Sequence, residues 1–338
     1  MKIAYILTPH AAVNRTNGIR SQAVTWAEGL RAQGHQVDYI NQWEYYDWPS
    51  YDAIHFFGNG SWVNTIRTYV RMQNPKCVYS PIYDTSPFLE SYSQRIQKHI
   101  SKLTHGKWNC ALNEVCRNYR GYKYVLARTE YEREWIHRLF DVPLNEIIIV
   151  SLAFSHGIEN NIDNVLQKEP FVFHMSLYTQ PRKNVARLIQ AAKKYGFRLI
   201  IAGKPDTPEL KEEFQQLVKD APNIEILGFI SEEQKMDLYR RARVFALPSI
   251  SEGVGIVALD AAVEGADVVI TNIGGPKEYY NGMAEIVSPY NVDEIGQACM
   301  RLLKGKTFQP QLRQHAIDNY SSLAITDKLI EVYRKLKL

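Results

Sequence analysis

Short apolar runs alternate along the chain with stretches whose apolar positions recur every three or four residues. Ile3 to Leu7, Tyr51 to Phe57, Lys76 to Ser80, Tyr124 to Ala127 and Ile147 to Val150 read as buried strands. Between them, Ile19, Ala23, Trp26, Ala27 and Leu30 share one helical face that Gly34 closes, and Glu130 to Phe140 reads as a further helix. Residues 151 to 170 lose this periodicity and gain Ser, Gly and Asn, which predicts a linker. A second series follows, with strands near Phe171 to Met175, Phe197 to Ala202, Asn223 to Leu227, Val244 to Leu247, Val268 to Thr271 and Ala284 to Val287. Such alternation predicts an α/β protein with parallel, doubly wound sheets covered by helices on both faces. Two series of similar size imply two Rossmann-like domains facing a central cleft. Their expected limits are 1–153 and 154–320, followed by a helical segment 321–338 after a break at Tyr320-Ser321.

Length and composition fit that picture. A chain of 338 residues is long for one core, and 45% hydrophobic with 22% charged residues is ordinary for a globular protein. The four cysteines form no C-x-x-C pair and no zinc ligand set, and there is no Asp-x-Asp, so no metal site is expected. Met1-Lys2 opens directly onto an apolar strand, with no signal peptide and no run long enough to span a bilayer, so a reduced cytoplasmic setting is expected. The net charge of +4 lies entirely in residues 1–153. Residues 91–129 hold eight Lys/Arg and one acid, Glu114.

The candidate chemistry centres on residues 243–265. The apolar run ending at Leu247 leads through Pro248, Ser249 and Ser251 to Gly253 and Gly255, and Ile256 to Glu264 resumes as a helix. Glycines let a ligand approach the backbone, and the unpaired amides of a helix start attract phosphate. Two carboxylates, Glu252 and Asp260, bracket this nest with seven residues between them. A diphosphate with hydroxyl-bearing groups at both ends fits the layout, as in a nucleotide sugar. Gly253-x-Gly255-x-x-Ala258 also satisfies a dinucleotide fingerprint. Against that reading, the match lies in the second half of the chain, Glu252 would face a pyrophosphate unaided, and no such pattern follows the first strand.

Ser251-Glu252-Gly253-Val254-Gly255 with Asp260 resembles the Glu-x7-Glu signature of retaining GT-B glycosyltransferases, glycosyltransferase family four (glycosyl transferases group 1). Gly265 and Thr271-Asn272-Ile273-Gly274-Gly275-Pro276-Lys277-Glu278 extend the likeness. In that family the second acid is Glu; here it is Asp260. The resemblance implies a GT-B fold, a nucleoside diphosphate sugar as donor, no further cofactor, and sugar transfer to an acceptor hydroxyl with retention, in glycan, polysaccharide or glycolipid biosynthesis. On this reading Glu252 orients the donor sugar, Asp260 binds the ribose, and the backbone of Gly253, Val254, Gly255 and Ile256 meets the diphosphate. Lys183 matches the family's phosphate-binding lysine. The family's arginine would fall near Leu177, so Arg182 would supply that charge from another place. The resemblance also implies that the 321–338 helix packs back on the first domain.

In the first domain, Asn17-Gly18 resembles the family's Gly-Gly loop, which places Gly18 by the donor. His55, Tyr83 and Asp84 follow strand ends and are candidate acceptor-side residues, with Tyr83-Asp84 standing where the family often has His-Asp. Arg95, Lys98, His99 and Lys102 recur at helical spacing beside Ile96, Ile100 and Leu103. This basic face predicts peripheral contact with an anionic membrane, at its inner face, through 91–129. A glycan or lipid-linked acceptor is expected, and nucleic acid is not. Two other classes stay open: a non-catalytic nucleotide-sugar or glycan binding protein on the same scaffold, and a nucleotide-sugar epimerase.

Overall fold

The computed structural model describes residues 1–338 other than 14–16, 42, 60, 84–89, 106, 109, 159–166 and 338, and gives the backbone alone for 61–64. The chain divides into two compact units, Met1–Ala153 with Ser322–Leu338, and Phe154–Ser321. Each is an α/β unit around one parallel sheet, as the alternating pattern predicts.

In the first unit the strands are β1 (Lys2–Leu7), β2 (Gln36–Tyr39), β3 (Ala53–Phe57), β4 (Cys77–Ser80), β5 (Tyr124–Ala127) and β6 (Ile147–Ile149), in the order β2-β1-β3-β4-β5-β6. Every residue of β3 and β4 is buried, which is why these strands read as continuous apolar runs. β2 was not expected. It is an edge strand whose single buried position is Val37, so it carries no hydrophobic signal of its own. The helix Ser322–Lys335 packs on the helix Gly18–Ala32, where Gln33 Nε2 donates to Thr326 Oγ1 at 2.6 Å. A Cβ on Gly29 would sit 2.5 Å from Thr326 Cγ2, so glycine is what lets the two helices approach.

The second unit holds β7 (Glu169–Met175), β8 (Arg198–Ala202), β9 (Ile224–Gly228), β10 (Ala242–Leu247), β11 (Asp267–Thr271) and β12 (Glu285–Val287), in the order β12-β11-β10-β7-β8-β9. All its pairings are parallel. The strand order reverses between β7 and β10. In open α/β sheets the connections from two such strands diverge to opposite faces and leave a crevice at their carboxyl ends, where ligands bind.

Candidate functional site

Two loops leave that switch point. The first follows β7 and turns through a short 3-10 helix, Pro181–Lys183, before the helix Val185–Tyr195. The second follows β10 and reaches the helix Ile256–Val263. Asn184 joins them, with a left-handed backbone (φ 61°) and its Nδ2 donating to the carbonyls of Pro248 (2.8 Å) and Pro289 (2.6 Å). The Ile250 amide donates to the Arg182 carbonyl at 2.8 Å. Sequence reasoning assigned Asn184 no role; the signal in the sequence was an Asn directly before a helical pattern, a residue that tolerates the αL backbone found there better than most.

This stitching brings Lys183 and Glu252 together. Lys183 Nζ lies 2.5 Å from Glu252 Oε2, with only 10% and 12% of the two side chains exposed. Ser249 Oγ donates to the same oxygen at 3.3 Å. Beside the pair, Gly255 holds φ 74° as the residue before the helix, and no side chain caps the helix start. A Cβ there would lie 2.8 Å from Leu247 Cδ2, so the position is closed to other residues by conformation and space alike. Gly253 is half-buried, the Val254 side chain is buried, and Ile256 begins the helix. On the neighbouring strand, β11 ends in Thr271 and runs into Gly274 (φ 78°) and the 3-10 helix Pro276–Tyr280. The arrangement is a shielded cation and carboxylate beside a helix start that no side chain caps, which can hold an anionic group and a hydroxyl-bearing one.

The other residues singled out from the sequence are placed differently. Arg182 is exposed, and its Nε donates to Gln180 Oε1 at 3.1 Å; it forms no ion pair with Glu252. Asp260 is 2% exposed and accepts hydrogen bonds from Ser155, from its amide at 2.7 Å and its hydroxyl at 2.6 Å. Burial pushes its carboxyl above the usual range, against the pull of His156 and Ser155. Glu264 is fully buried and pairs with Arg240 at 3.0 Å. Asp260 in this helix and Glu264 just after it are thus both engaged within the protein. Leu177, where the family arginine would fall, is 40% exposed.

In the first unit, Gly18 is exposed and a Cβ on it would touch nothing within 4 Å, while Asn17 Oδ1 caps the following helix by accepting from the Ile19 amide at 2.9 Å. His55, an acceptor-side candidate from the sequence, sits inside the first sheet. It is fully buried in β3, with Nδ1 2.7 Å from Tyr333 Oη and Nε2 2.8 Å from Ser80 Oγ, so both ring nitrogens are committed to the core. Tyr83 packs its half-buried ring against Trp135 and Phe140, at centroid distances of 5.3 and 5.5 Å. Its backbone is gripped by a buried ion pair: the amide donates to Glu132 Oε1 at 3.0 Å and the carbonyl accepts from Arg128 Nη2 at 3.0 Å. From the sequence Arg128 was counted only among the eight Lys/Arg of 91–129, and Glu132 was not singled out; the structure buries Arg128 in this ion pair. Asp84 lies outside the described residues. Among the described residues no cluster of His, Cys, Asp or Glu is arranged to hold a metal ion, and no helix is long and apolar enough to cross a membrane.

Residues 158–321 match the family described as Glycosyl transferases group 1. The chain is related to the group 1 glycosyl transferases. Among curated relatives, it is 28% identical to the O-antigen chain mannosyltransferase B of Escherichia coli over 55% of this chain and 53% of that protein. It is 30% identical to an uncharacterized glycosyltransferase of Methanocaldococcus jannaschii over 58% of this chain and 50% of that one. The chain therefore spans about half the length of these curated relatives. Its fold is that of sucrose-phosphate synthase from Thermosynechococcus elongatus, with a TM-score of 0.74 at 15% identity over 100% of this chain and 99% of that one. Anabaena HepE, solved in complex with UDP and glucose, gives 0.70 at 15% identity over 99% and 100%. The two parallel-sheet, Rossmann-like units are thus those of the GT-B fold shared with group 1 enzymes.

Proposed function

We propose that this protein is a glycosyltransferase that takes a sugar from a nucleoside diphosphate sugar and transfers it to an acceptor hydroxyl with retention of configuration, without a metal ion. The observation that carries the proposal is the Lys183–Glu252 pair beside the uncapped start of the helix Ile256–Val263, on the two loops of a switch point. A donor diphosphate would replace Glu252 as the partner of Lys183 and lie against the amides of Gly253 to Ile256, where its charge is stabilised as the anomeric bond breaks. Glu252, released, would accept hydrogen bonds from the donor sugar. Arg182 would add charge by turning from Gln180. Asp260 would reach the ribose by exchanging Ser155 for the ligand, and Gly18 would leave space beside the donor. Tyr83, whose backbone Arg128 and Glu132 hold, would meet the acceptor, and Asp84 remains an acceptor-side candidate from the sequence. HepE has been solved with UDP-glucose, and the Escherichia coli relative is named as a mannosyltransferase, so UDP and GDP sugars are the first donors to try.

The test is release of free nucleoside diphosphate from a panel of UDP, GDP and ADP sugars, in excess EDTA, with sugar products followed by NMR. Slow hydrolysis of one donor is expected. Glu252→Gln should lower kcat by ten-fold or more without a comparable loss of nucleotide affinity, since it also frees Lys183 for the diphosphate, whereas Lys183→Ala should weaken both. Activity lost in EDTA and restored by Mg2+ would overturn the metal-free mechanism. The commitment of Asp260 to Ser155 favours a second reading, a non-catalytic nucleotide-sugar binding protein, for which nucleotide would bind and no donor would turn over. Epimerisation would appear as a changed sugar without transfer.

A further inference from the structure

Between Arg31 and Arg67 the chain holds no Lys or Arg, although the first 153 residues carry the whole positive excess of the protein. The stretch contains Asp38, Glu44, Asp47 and Asp52, and an unusual density of aromatics, Tyr39, Trp43, Tyr45, Tyr46, Trp48 and Tyr51. It leaves the carboxyl end of the edge strand β2, so it lies on the carboxyl-end side of the sheet, the side on which parallel α/β units bind ligands.

The loop has a buried root and an exposed tip. At the root, Trp48 is 8% exposed and packs against Tyr46 and Tyr51, at centroid distances of 5.6 and 6.1 Å. At the tip, Trp43 is 85% and Tyr45 93% exposed. Among the described residues, neither ring stacks on another aromatic. Their presentation is built by polar contacts. The Trp43 amide donates to Asn41 Oδ1 at 2.8 Å, the Asn41 amide donates to Tyr46 Oη at 3.0 Å, and that hydroxyl donates to Glu44 Oε2 at 3.1 Å. A loop held in this way fixes two large apolar faces in water where a core was available a few residues on. Exposed aromatics of this kind mark a binding surface.

The geometry points to a neutral glycan as the occupant, and we propose that Trp43 and Tyr45 form a stacking platform for the pyranose rings of a carbohydrate acceptor. The C–H face of a pyranose is flat and apolar and matches an aromatic ring, while its equatorial hydroxyls seek acceptors such as Asn41, Glu44 and Asp47. The tip, residues 41–47, carries Glu44 and Asp47 and no Lys or Arg. The cations that meet this stretch, Lys2 over the Tyr51 ring at 4.5 Å, Arg31 over the Tyr39 ring at 4.8 Å and Lys337 paired with Asp52 at 2.7 Å, do so away from the tip, so the tip suits a neutral ligand better than an anionic one. Of residues 41–47, Trp43 and Tyr45 are the exposed hydrophobics, with no exposed aliphatic side chain of the kind that fills protein interfaces. The inference rests on the glycosyltransferase reading for the word acceptor, but the platform itself does not depend on it.

The experiment is an array of immobilised neutral oligosaccharides built from glucose, mannose, galactose and N-acetylhexosamines, probed with the full chain. Wild type is compared with Trp43→Ala/Tyr45→Ala; both side chains are exposed, so an unchanged melting temperature is expected and confirms folding. Retention of at least one glycan series by wild type, reduced ten-fold or more in the double variant, is expected. Tyr45→Phe, which keeps the ring, should retain most of the signal. Failure of wild type to retain any neutral glycan, or equal retention by the double variant, overturns the proposal. So does binding to phosphatidylcholine or phosphatidylglycerol vesicles that the double substitution abolishes while glycan retention is unaffected. Donor hydrolysis by wild type is measured separately: glycan retention without any donor turnover keeps the platform and removes the enzyme.

Discussion

At the scale of single residues, the informative contrast is between Glu252 and Asp260. Both were singled out by their spacing around a glycine-rich turn, and only Glu252 meets a cation of the site. Ser155, which occupies Asp260, lies 105 residues away in the linker, a distance at which no local pattern carries information. His55 is the same case, since its partner Tyr333 is 278 residues away. A strand-end histidine looks available in sequence until the helix that covers it is placed. Asp260→Asn leaves one oxygen to accept where two did, and should cost about 1–3 kcal/mol of stability. If Asp260 also binds the ribose, nucleotide affinity falls in Asp260→Asn and stays near wild type in Ser155→Ala, which keeps the carboxylate. Calorimetric titration with the nucleotide decides it; unchanged affinity in Asp260→Asn would remove Asp260 from the donor site.

At the scale of elements, strands buried on both faces were legible because each is a run of apolar residues, and β2 was not because one buried side chain makes no pattern. The helix Tyr92–Leu103 illustrates a subtler limit. Its apolar positions recur at helical spacing and would ordinarily be taken to face the core, yet Tyr92, Ile96, Ile100 and Leu103 are 79%, 42%, 39% and 81% exposed. The face turned inward is polar: Gln94 Oε1 accepts from the Leu112 amide at 3.3 Å, Ser101 Oγ accepts from Asn113 Nδ2 at 2.8 Å, and Lys98 Nζ donates to the Leu139 carbonyl at 2.6 Å. Hydrogen bonds thus hold the helix, and its apolar stripe stays outside beside Arg95, His99 and Lys102. This outward stripe is the surface that the contact with an anionic membrane expected from the sequence would use. Lys102 is shared with Asp141 at 2.9 Å, which tempers its charge. Vesicles with phosphatidylglycerol should co-sediment the protein at low salt, with affinity falling steeply towards physiological salt, because each cation contributes roughly 1 kcal/mol near an anionic surface. Arg95→Glu/Lys102→Glu and Ile96→Ser/Ile100→Ser should each reduce binding. Equal sedimentation of wild type and both variants would sink the membrane contact and direct the search to an acceptor free in solution.

At the scale of the whole molecule, the two sheets share a feature with a consequence for stability. Each contains one fully buried histidine: His55 in β3, and His174 in β7, whose Nδ1 lies 2.7 Å from the Ala246 carbonyl and whose Nε2 lies 2.7 Å from Ser176 Oγ. Burial disfavours the imidazolium, holding His174 down at about 4 and His55 well below its ordinary value. In the unfolded chain both would titrate near 6.5. Above that pH neither state binds the proton, and the histidines leave stability unchanged. As pH falls below it, the unfolded chain takes up protons that the folded chain refuses, so stability declines until the folded-state value is reached. For His174 the gap corresponds to about 3 kcal/mol, lost between about pH 6.5 and 4. Buried carboxylates such as Asp260, whose folded value is raised, act in the opposite sense over the lower part of that window, and so cannot be the source of a decline. Urea unfolding at pH 7.5, 6, 5 and 4.5 should give a falling midpoint. His174→Gln retains donor and acceptor capacity without the ionisable ring, so it should lower stability at pH 7.5 and flatten the acid limb relative to wild type. A variant whose midpoint falls with pH as steeply as wild type would show that folding does not lower the His174 pKa and that the acid limb has another source.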